Sequence, residues 1–276
     1  MLYLIDDKPK NQPVRLVLSG CSTILFCHFG SIKRIKQNYD IKEIVATSGG
    51  AVIGSLFARG FYDTKIERIL KSIKLNELLD KNLIPFFNSG FGIYKGNLLL
   101  NKFKEYLDIT FEEMYKRSEI KLTIVATELG NLKPIYYNYE TSPDKKVYEA
   151  VRESMSIPVL FNFVNINNKI MVDGGILDNF ASDFYKDNSL LNIGIRVKSS
   201  LDDYKQPKSF LEYILTIISM IMFRLEEKIV EDSEFTKILY IKSKFNALSF
   251  EHSQKDIEEM FSEGFDQTHE FLKTLK

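Results

Sequence analysis

The chain has 276 residues, 45% of them hydrophobic and 27% charged, which suits a substantial buried core and excludes a disordered, collagenous or coiled-coil protein. Its 37 basic residues balance 37 acidic ones at a formal net charge of +0, so no bulk field draws it to nucleic acid or anionic lipid. The 2 cysteines, Cys21 and Cys27, share one short stretch; they cannot staple the fold and fit a reducing compartment.

The segment Met1 to Pro13 contains Asp6 and Asp7 and lacks a long apolar core. It does not read as a secretory signal, and a cytoplasmic location is expected. Val14–Leu18 predicts a buried parallel strand ending at Ser19-Gly20. A helix is expected over about His28–Asn38, then a strand over Glu43–Ala46. The break Thr47-Ser48-Gly49-Gly50 leads into a buried helix that stops at Gly60. Thr110 stands three positions before Glu113, a capping box that starts a helix through about Arg117. Further strands are expected at Leu122–Thr127, Lys169–Val172, Leu191–Val197 and Ile238–Ile241. A last helix over about Asp256–Leu272 places Ile257, Met260, Phe261, Phe265, Thr268 and Phe271 on one face. Strands alternating with helices predict an α/β fold, a three-layer sandwich around a mainly parallel central sheet. Phe210–Phe223 is apolar nearly all round yet too short to span a bilayer. A buried helix covering the sheet is expected there, with an interfacial membrane contact as the alternative. No repeat and no linker rich in Pro, Gly or Ser interrupts the chain, so residues 1–276 read as a single domain.

Two short motifs carry chemistry. Ala46-Thr47-Ser48-Gly49-Gly50 is a version of the nucleophile elbow, in which small neighbours let a strand turn sharply into a helix and expose a serine Oγ. The usual first glycine is Ala46, and the helix directs free N–H groups toward charge developing at Ser48. By itself the motif also describes a buried serine capping a helix start. The serine needs a base, and none of His28, His252 and His269 is well placed for a Ser-His-Asp triad. Asp173 ends an apolar strand ahead of Gly174 and Gly175, where a carboxyl can be desolvated and its pKa raised. Alone, Asp-Gly-Gly is more often a turn.

Together the two motifs resemble the patatin-like phospholipases, which pair a Gly-x-Ser-x-Gly elbow with a downstream Asp-Gly-Gly or Asp-Gly-Ala and use a Ser-Asp dyad without histidine. Ser48 and Asp173 match those positions. Leu16-Val17-Leu18-Ser19-Gly20, Gly92-Ile93-Tyr94-Lys95-Gly96, Thr110-Phe111-Glu112-Glu113 and Val125-Ala126-Thr127-Glu128 follow the same family in order. So do Val151 to Pro158, Asp173 to Asn179 and Ser262-Glu263-Gly264-Phe265, and the resemblance runs from about Val14 to Leu272. It implies a catalytic core at about 14–186 completed by strands and helices of 187–276. It also implies lipid acyl ester hydrolysis through an acyl-enzyme, with Asp173 taking and returning the Ser48 proton. Lipid or phospholipid is the implied partner, with peripheral membrane contact and no nucleic acid.

The chain departs from the family at the oxyanion loop. Where the family reads Gly-Gly-Gly-x-Lys/Arg-Gly, this chain has Gly20-Cys21-Ser22-Thr23-Ile24-Leu25. One loop glycine survives, and Ile24 replaces the basic residue. Losing one oxyanion donor lowers turnover by about 10² to 10³. Two readings follow: a working lipid hydrolase whose loop presents N–H groups from Cys21 and Ser22, or a catalytically weak or inactive member that binds lipid or a partner. Cys21 and Cys27 read as small packing residues, a redox pair being the alternative. Asp178 and Asn179 read as groups that orient the segment after Asp173. Acidic pairs such as Glu112-Glu113 and Asp202-Asp203 lack ligand spacing with histidine or cysteine. No metal and no cofactor is expected, and activity should be calcium-independent.

Overall fold

The structure, a computed structural model, describes residues 12–62, 68–69, 75–82, 90–131, 133–199, 206–231 and 233–275. The elements that matter below are, in chain order, β1 (Gln12–Leu18), α1 (Phe26–Lys36), β2 (Tyr39–Thr47), α2 (Ser48–Ala58), α3 (Asn97–Leu107), α4 (Phe111–Ser118) and β3 (Lys121–Glu128). There follow β4 (Pro134–Tyr137), α5 (Val147–Ser154), β5 (Val164–Ile166), β6 (Lys169–Asp173), β7 (Leu191–Ser199), α6 (Phe210–Glu231), β8 (Thr236–Ser243) and α7 (Gln254–Thr274).

Apolar side chains on both faces of β1 require cover on both sides. Leu16 and Leu18 join a large cluster with α1, α2 and α7, whereas Val17 joins Val45, Val125, Phe180 and Tyr185 on the opposite face. The result is the expected three-layer α/β sandwich. Its eight-stranded sheet runs β5-β6-β3-β2-β1-β7-β8, with β4 also paired to β3. The neighbours β3-β2-β1-β7-β8 are parallel, while β4, β5 and β6 pair antiparallel.

One detail of register positions the site. On β3, Val125 pairs with Thr47 of β2 and with Tyr136 of β4. The next residue, Ala126, pairs with Ile135 of β4 and with Asp173 of β6. A strand has only two edges, and β4 fills one at both positions. Therefore β6 takes over the other edge where β2 leaves it, and Asp173 arrives beside the end of β2.

The capping box at Thr110 and Glu113 is present at the start of α4, and a second one, Ser253 with Asp256, starts α7. The buried stripe of α7 is Met260, Gly264, Thr268 and Leu272, shifted from the aromatic face expected. Close approach of two backbones sets that rotation: a Cβ on Gly264 would lie 2.0 Å from the Cys27 carbonyl oxygen, and one on Gly30 2.0 Å from that of Phe261. Phe261 flanks the contact against Phe29, ring centroids 5.0 Å apart.

The buried, sheet-covering helix expected at Phe210–Phe223 is not what forms. In α6 only Leu215 and Glu226 are buried. Leu215 packs on the first cluster, Val230 on the second, and Phe223 lies over Lys198 near the end of β7. The end of the helix at Glu226–Val230 thus packs over β7 and β8, whereas its earlier part extends past the carboxyl end of the sheet, where among the described residues no layer lies above its outer side.

Gly264→Ala is expected to lower folding stability by about 1–3 kcal/mol, the usual cost of overpacking a tight contact. Ser262→Ala, on the exposed side of α7, should change it by less than about 0.5 kcal/mol. Urea denaturation midpoints of the two variants measure the difference.

Candidate active site

Ser48 stands where β2 turns into α2. Thr47 is still extended, at φ −120° and ψ 139°, whereas Ser48 has φ +49°. A left-handed conformation costs a side-chain-bearing residue about 1–2 kcal/mol, so the surroundings must hold it. The Ser48 N–H donates to Ser154 Oγ at 2.8 Å, and Thr47 Oγ1 donates to the Asp178 carbonyl at 3.0 Å. A Cβ on Gly49 would lie 2.8 Å from the Ser22 carbonyl, and one on Gly50 2.6 Å from that of Ser19. Ala46, on β2, is buried in the first core cluster. The elbow therefore exists because small residues let the loop after β1 lie against the start of α2.

Ser48 Oγ donates to Asp173 Oδ2 at 2.7 Å. The other carboxylate oxygen, Oδ1, accepts the Gly175 N–H at 2.7 Å. Ser48 is 4% exposed and Asp173 1%. Burial pushes the Asp173 carboxyl up to about 7, against the opposing effect of its bonds from Ser48 and Gly175. A carboxyl with a pKa near neutrality, bonded to a hydroxyl, is placed to remove and return that proton. Gly174 lies against β3, where a Cβ would meet the Val125 carbonyl at 2.3 Å. Gly175 opens the helical turn Gly175–Asp178.

The loop after β1 is held by side chains. His28, buried on α1, bonds through Nε2 to the Ser19 carbonyl at 2.8 Å, and burial lowers its pKa to about 4. The imidazole is neutral, so Nε2 carries the donated proton. The Gly20 N–H donates to the Asn179 carbonyl at 2.9 Å, and Asn179 Nδ2 donates to Glu226 at 3.0 Å. Glu226 in turn pairs with buried Arg196. No acceptor among the described residues takes the N–H groups of Cys21 or Ser22. Beyond Ser48, the first N–H groups of α2, that of Gly49 among them, have no intrahelical acceptor by helix geometry. Ser22, at φ +49°, shares a narrow cleft with Ser48, Leu25, Leu99, Met155, Phe161 and Phe250.

Of the residues singled out in the sequence, Ser48 and Asp173 are brought together, and Cys21, Ser22 and Gly49 stand around them. Asp178 accepts the Tyr136 hydroxyl at 2.7 Å and Asn179 bonds Gly20, an orienting part for each. His252 bonds Thr23 and His269 bonds Arg34 instead of Ser48. Burial raises the Cys21 thiol well above its usual range and that of Cys27 to about 12, so neither is an activated thiolate. Among the described residues, no three His, Cys, Asp or Glu side chains are grouped to hold a metal ion. Ser154, Glu226 and Arg196 were not legible as site residues. Only the Glu-Ser-Met-Ser-Ile-Pro match around Ser154 pointed near the first.

A family model described as patatin-like phospholipase matches residues 16–183. The chain is 28% identical over 193 residues to "Probable lipid hydrolase 463L" of Invertebrate iridescent virus 6, covering 66% of each. It is 26% identical over 199 residues to "Uncharacterized protein R571" of Acanthamoeba polyphaga mimivirus, covering 67% of this chain and 66% of that one. The alignments thus span about two-thirds of the length of these relatives. Among solved structures, VipD from Legionella pneumophila superposes with a TM-score of 0.54 at 15% identity, covering 96% of this chain and 67% of that one. The type III effector ExoU gives a TM-score of 0.51 at 11% identity, covering 96% and 54%. At such identities these two establish the fold.

The raised Asp173 carboxyl makes a prediction about stability. With its pKa moved from 3.8 to about 7, the folded state holds this proton more tightly than the unfolded chain. That contribution is complete below about pH 4 and is lost as pH rises through about 7. Asp173→Asn, uncharged throughout, should gain stability over the parent above pH 7 by up to about 4 kcal/mol, at 1.4 kcal/mol per pKa unit. The difference should shrink toward pH 4. Urea unfolding of both proteins at about pH 5 and pH 8 tests this, and an equal gap at the two values would rule out the raised pKa.

Proposed function

The chain belongs to the patatin-like phospholipase family, and on that premise we propose that it hydrolyses carboxylic esters of lipids through Ser48 and Asp173. The observation that carries the reading is the 2.7 Å hydrogen bond from Ser48 Oγ to a buried carboxylate at the start of a helix. Asp173 accepts the hydroxyl proton as Ser48 Oγ bonds to the ester carbonyl carbon. The carbonyl oxygen becomes an oxyanion, stabilised by the N–H groups of Cys21, Ser22 and Gly49 and by the positive end of α2. Collapse breaks the bond to the alcohol, which leaves with the proton from Asp173. Water then attacks the acyl-enzyme, giving its proton to Asp173, and release of the fatty acid returns that proton to Ser48. A half-ionised carboxylate near neutral pH suits both directions of transfer. The backbone donors supply the positive pole, and the reaction proceeds without calcium.

One observation favours the second reading, a weak or inactive member that binds lipid. The Gly20 N–H is already engaged by the Asn179 carbonyl, which leaves Cys21 and Ser22 to serve the loop. A fluorophosphonate probe separates the two readings, because it reacts only with an activated serine.

Labelling is expected at Ser48, located by peptide mass spectrometry, and lost in Ser48→Ala. Asp173→Asn should slow labelling and lipid ester hydrolysis by at least about 10³-fold, the scale seen when a serine loses its base. Chelator should leave the rate unchanged. A folded parent protein that resists the probe would favour the binding role.

A further inference from the structure

The outer side of α6 carries six large apolar side chains, Phe210, Tyr213, Ile217, Met220, Ile221 and Leu225, all exposed. Phe210 is 73% exposed, Met220 58% and Ile221 57%. Their spacing of three and four residues puts them on one stripe. Together they present on the order of 600 Å² of apolar surface, the upper end of the largest patch on an ordinary monomer.

The opposite side of the helix is fixed to the candidate active site. Met222 Cε lies 2.3 Å from the place a Gly175 Cβ would occupy. Glu226 joins Arg196 to Asn179, which holds Gly20. The apolar stripe is therefore anchored, through one helix thickness, to the loops that carry Asp173 and the oxyanion donors.

We propose that α6 docks flat on the surface of a zwitterionic phospholipid bilayer, which holds the loops around Ser48 one helix thickness from a concentrated substrate. The inference rests on the reading of Ser48 and Asp173 as a lipid-hydrolysing pair. Charge placement selects this occupant. Tyr213 to Phe223 contains no charged residue, whereas exposed Lys208 and Glu212 lie at one end and exposed Arg224, Lys228 and Glu231 at the other. The uncharged centre matches the acyl boundary, and both signs at each end match choline–phosphate head groups better than an anionic surface. A second copy seated on the same stripe would bury about 1,200 Å² in total, the lower limit for a specific interface. Among the described residues no helix is long and apolar enough to cross a membrane, in keeping with a helix that lies in the interface plane.

The chain has no tryptophan, so Ile221→Trp introduces a single indole on the stripe. With phosphatidylcholine vesicles its emission should shift to the blue and be quenched by brominated lipid. Tyr62→Trp, just beyond the far end of α2, should show neither effect. The double variant Met220→Glu/Ile221→Glu should bind vesicles at least about tenfold less well, from loss of two apolar contacts. Its hydrolysis of vesicle phosphatidylcholine should fall in step, while hydrolysis of monomeric p-nitrophenyl butyrate stays within about twofold of the parent. An unshifted I221W spectrum would overturn the proposal, and so would unchanged vesicle binding by the double variant. A parent dimer that the double variant dissociates, read by sedimentation, would assign the stripe to a second copy instead. Vesicle binding without hydrolysis of either ester would uphold the docking and defeat the hydrolase reading.

Discussion

The contact between Ser48 and Asp173 depends on how two strands share one edge of β3. Because β2 ends opposite Val125 and β6 begins its pairing at Ala126, residues 125 positions apart in sequence meet without a long loop having to order itself. The hydrogen bond of 2.7 Å is then a product of strand register, and register is strongly fixed where both faces of a sheet are buried. A one-residue slip of β6 would send the Asp173 side chain to the other face. The same takeover brings Gly174 against the Val125 carbonyl and Thr47 against the Asp178 carbonyl, so both loops are braced at the place where the acid must be desolvated.

The loop after β1 poses a separate physical problem. Glycines allow a backbone to aim consecutive N–H groups inward at little conformational cost. Here Cys21 and Ser22 stand in their place, and Ser22 holds the left-handed conformation with a side chain attached. External braces hold that strained geometry: His28 from α1 on the Ser19 carbonyl, Asn179 on Gly20, and the Glu226–Arg196 pair behind Asn179. Flexibility in the loop is exchanged for a polar scaffold packed beneath it, which is the usual way that strain persists at a functional site.

How much of this was legible in the sequence follows from what each feature depends on. The parallel strands, the elbow and both ends of α4 rest on local signals, namely apolar runs, small residues at a turn and a Thr-x-x-Glu box, and they stand where those signals put them. The strands β4 and β5, of four and three residues, are too short to show a period. The rotation of α7 depends on Gly30 and Gly264 meeting across 234 residues, and helical periodicity ranked the bulky aromatics above them. Ser154, Arg196 and Glu226 matter through what they touch, which no spacing reveals. The failure at α6 has a similar cause: an apolar helix reads as buried, and only the position of the sheet end decides whether anything lies above it.

Three unfavourable features gather at the carboxyl end of the sheet. Ser48 is held in a strained backbone conformation, Asp173 is desolvated, and α6 leaves large apolar side chains uncovered. Elsewhere such conflicts are scattered, as in the left-handed backbone of Val159 and the exposed Leu129, while capping boxes start α4 and α7, clusters cover both sheet faces and Arg15 pairs with Glu43 and Asp187. A chain under selection for stability alone would remove such conflicts independently, since each has a local remedy: glycine at Ser48, asparagine at Asp173, polar residues along α6. Their adjacency at one end, joined through Asn179 and Glu226, is what a single function requiring all three would produce. On the proposed reading the strain and the desolvation serve the reacting atoms, and the uncovered helix beside them lies where an apolar medium would cover it.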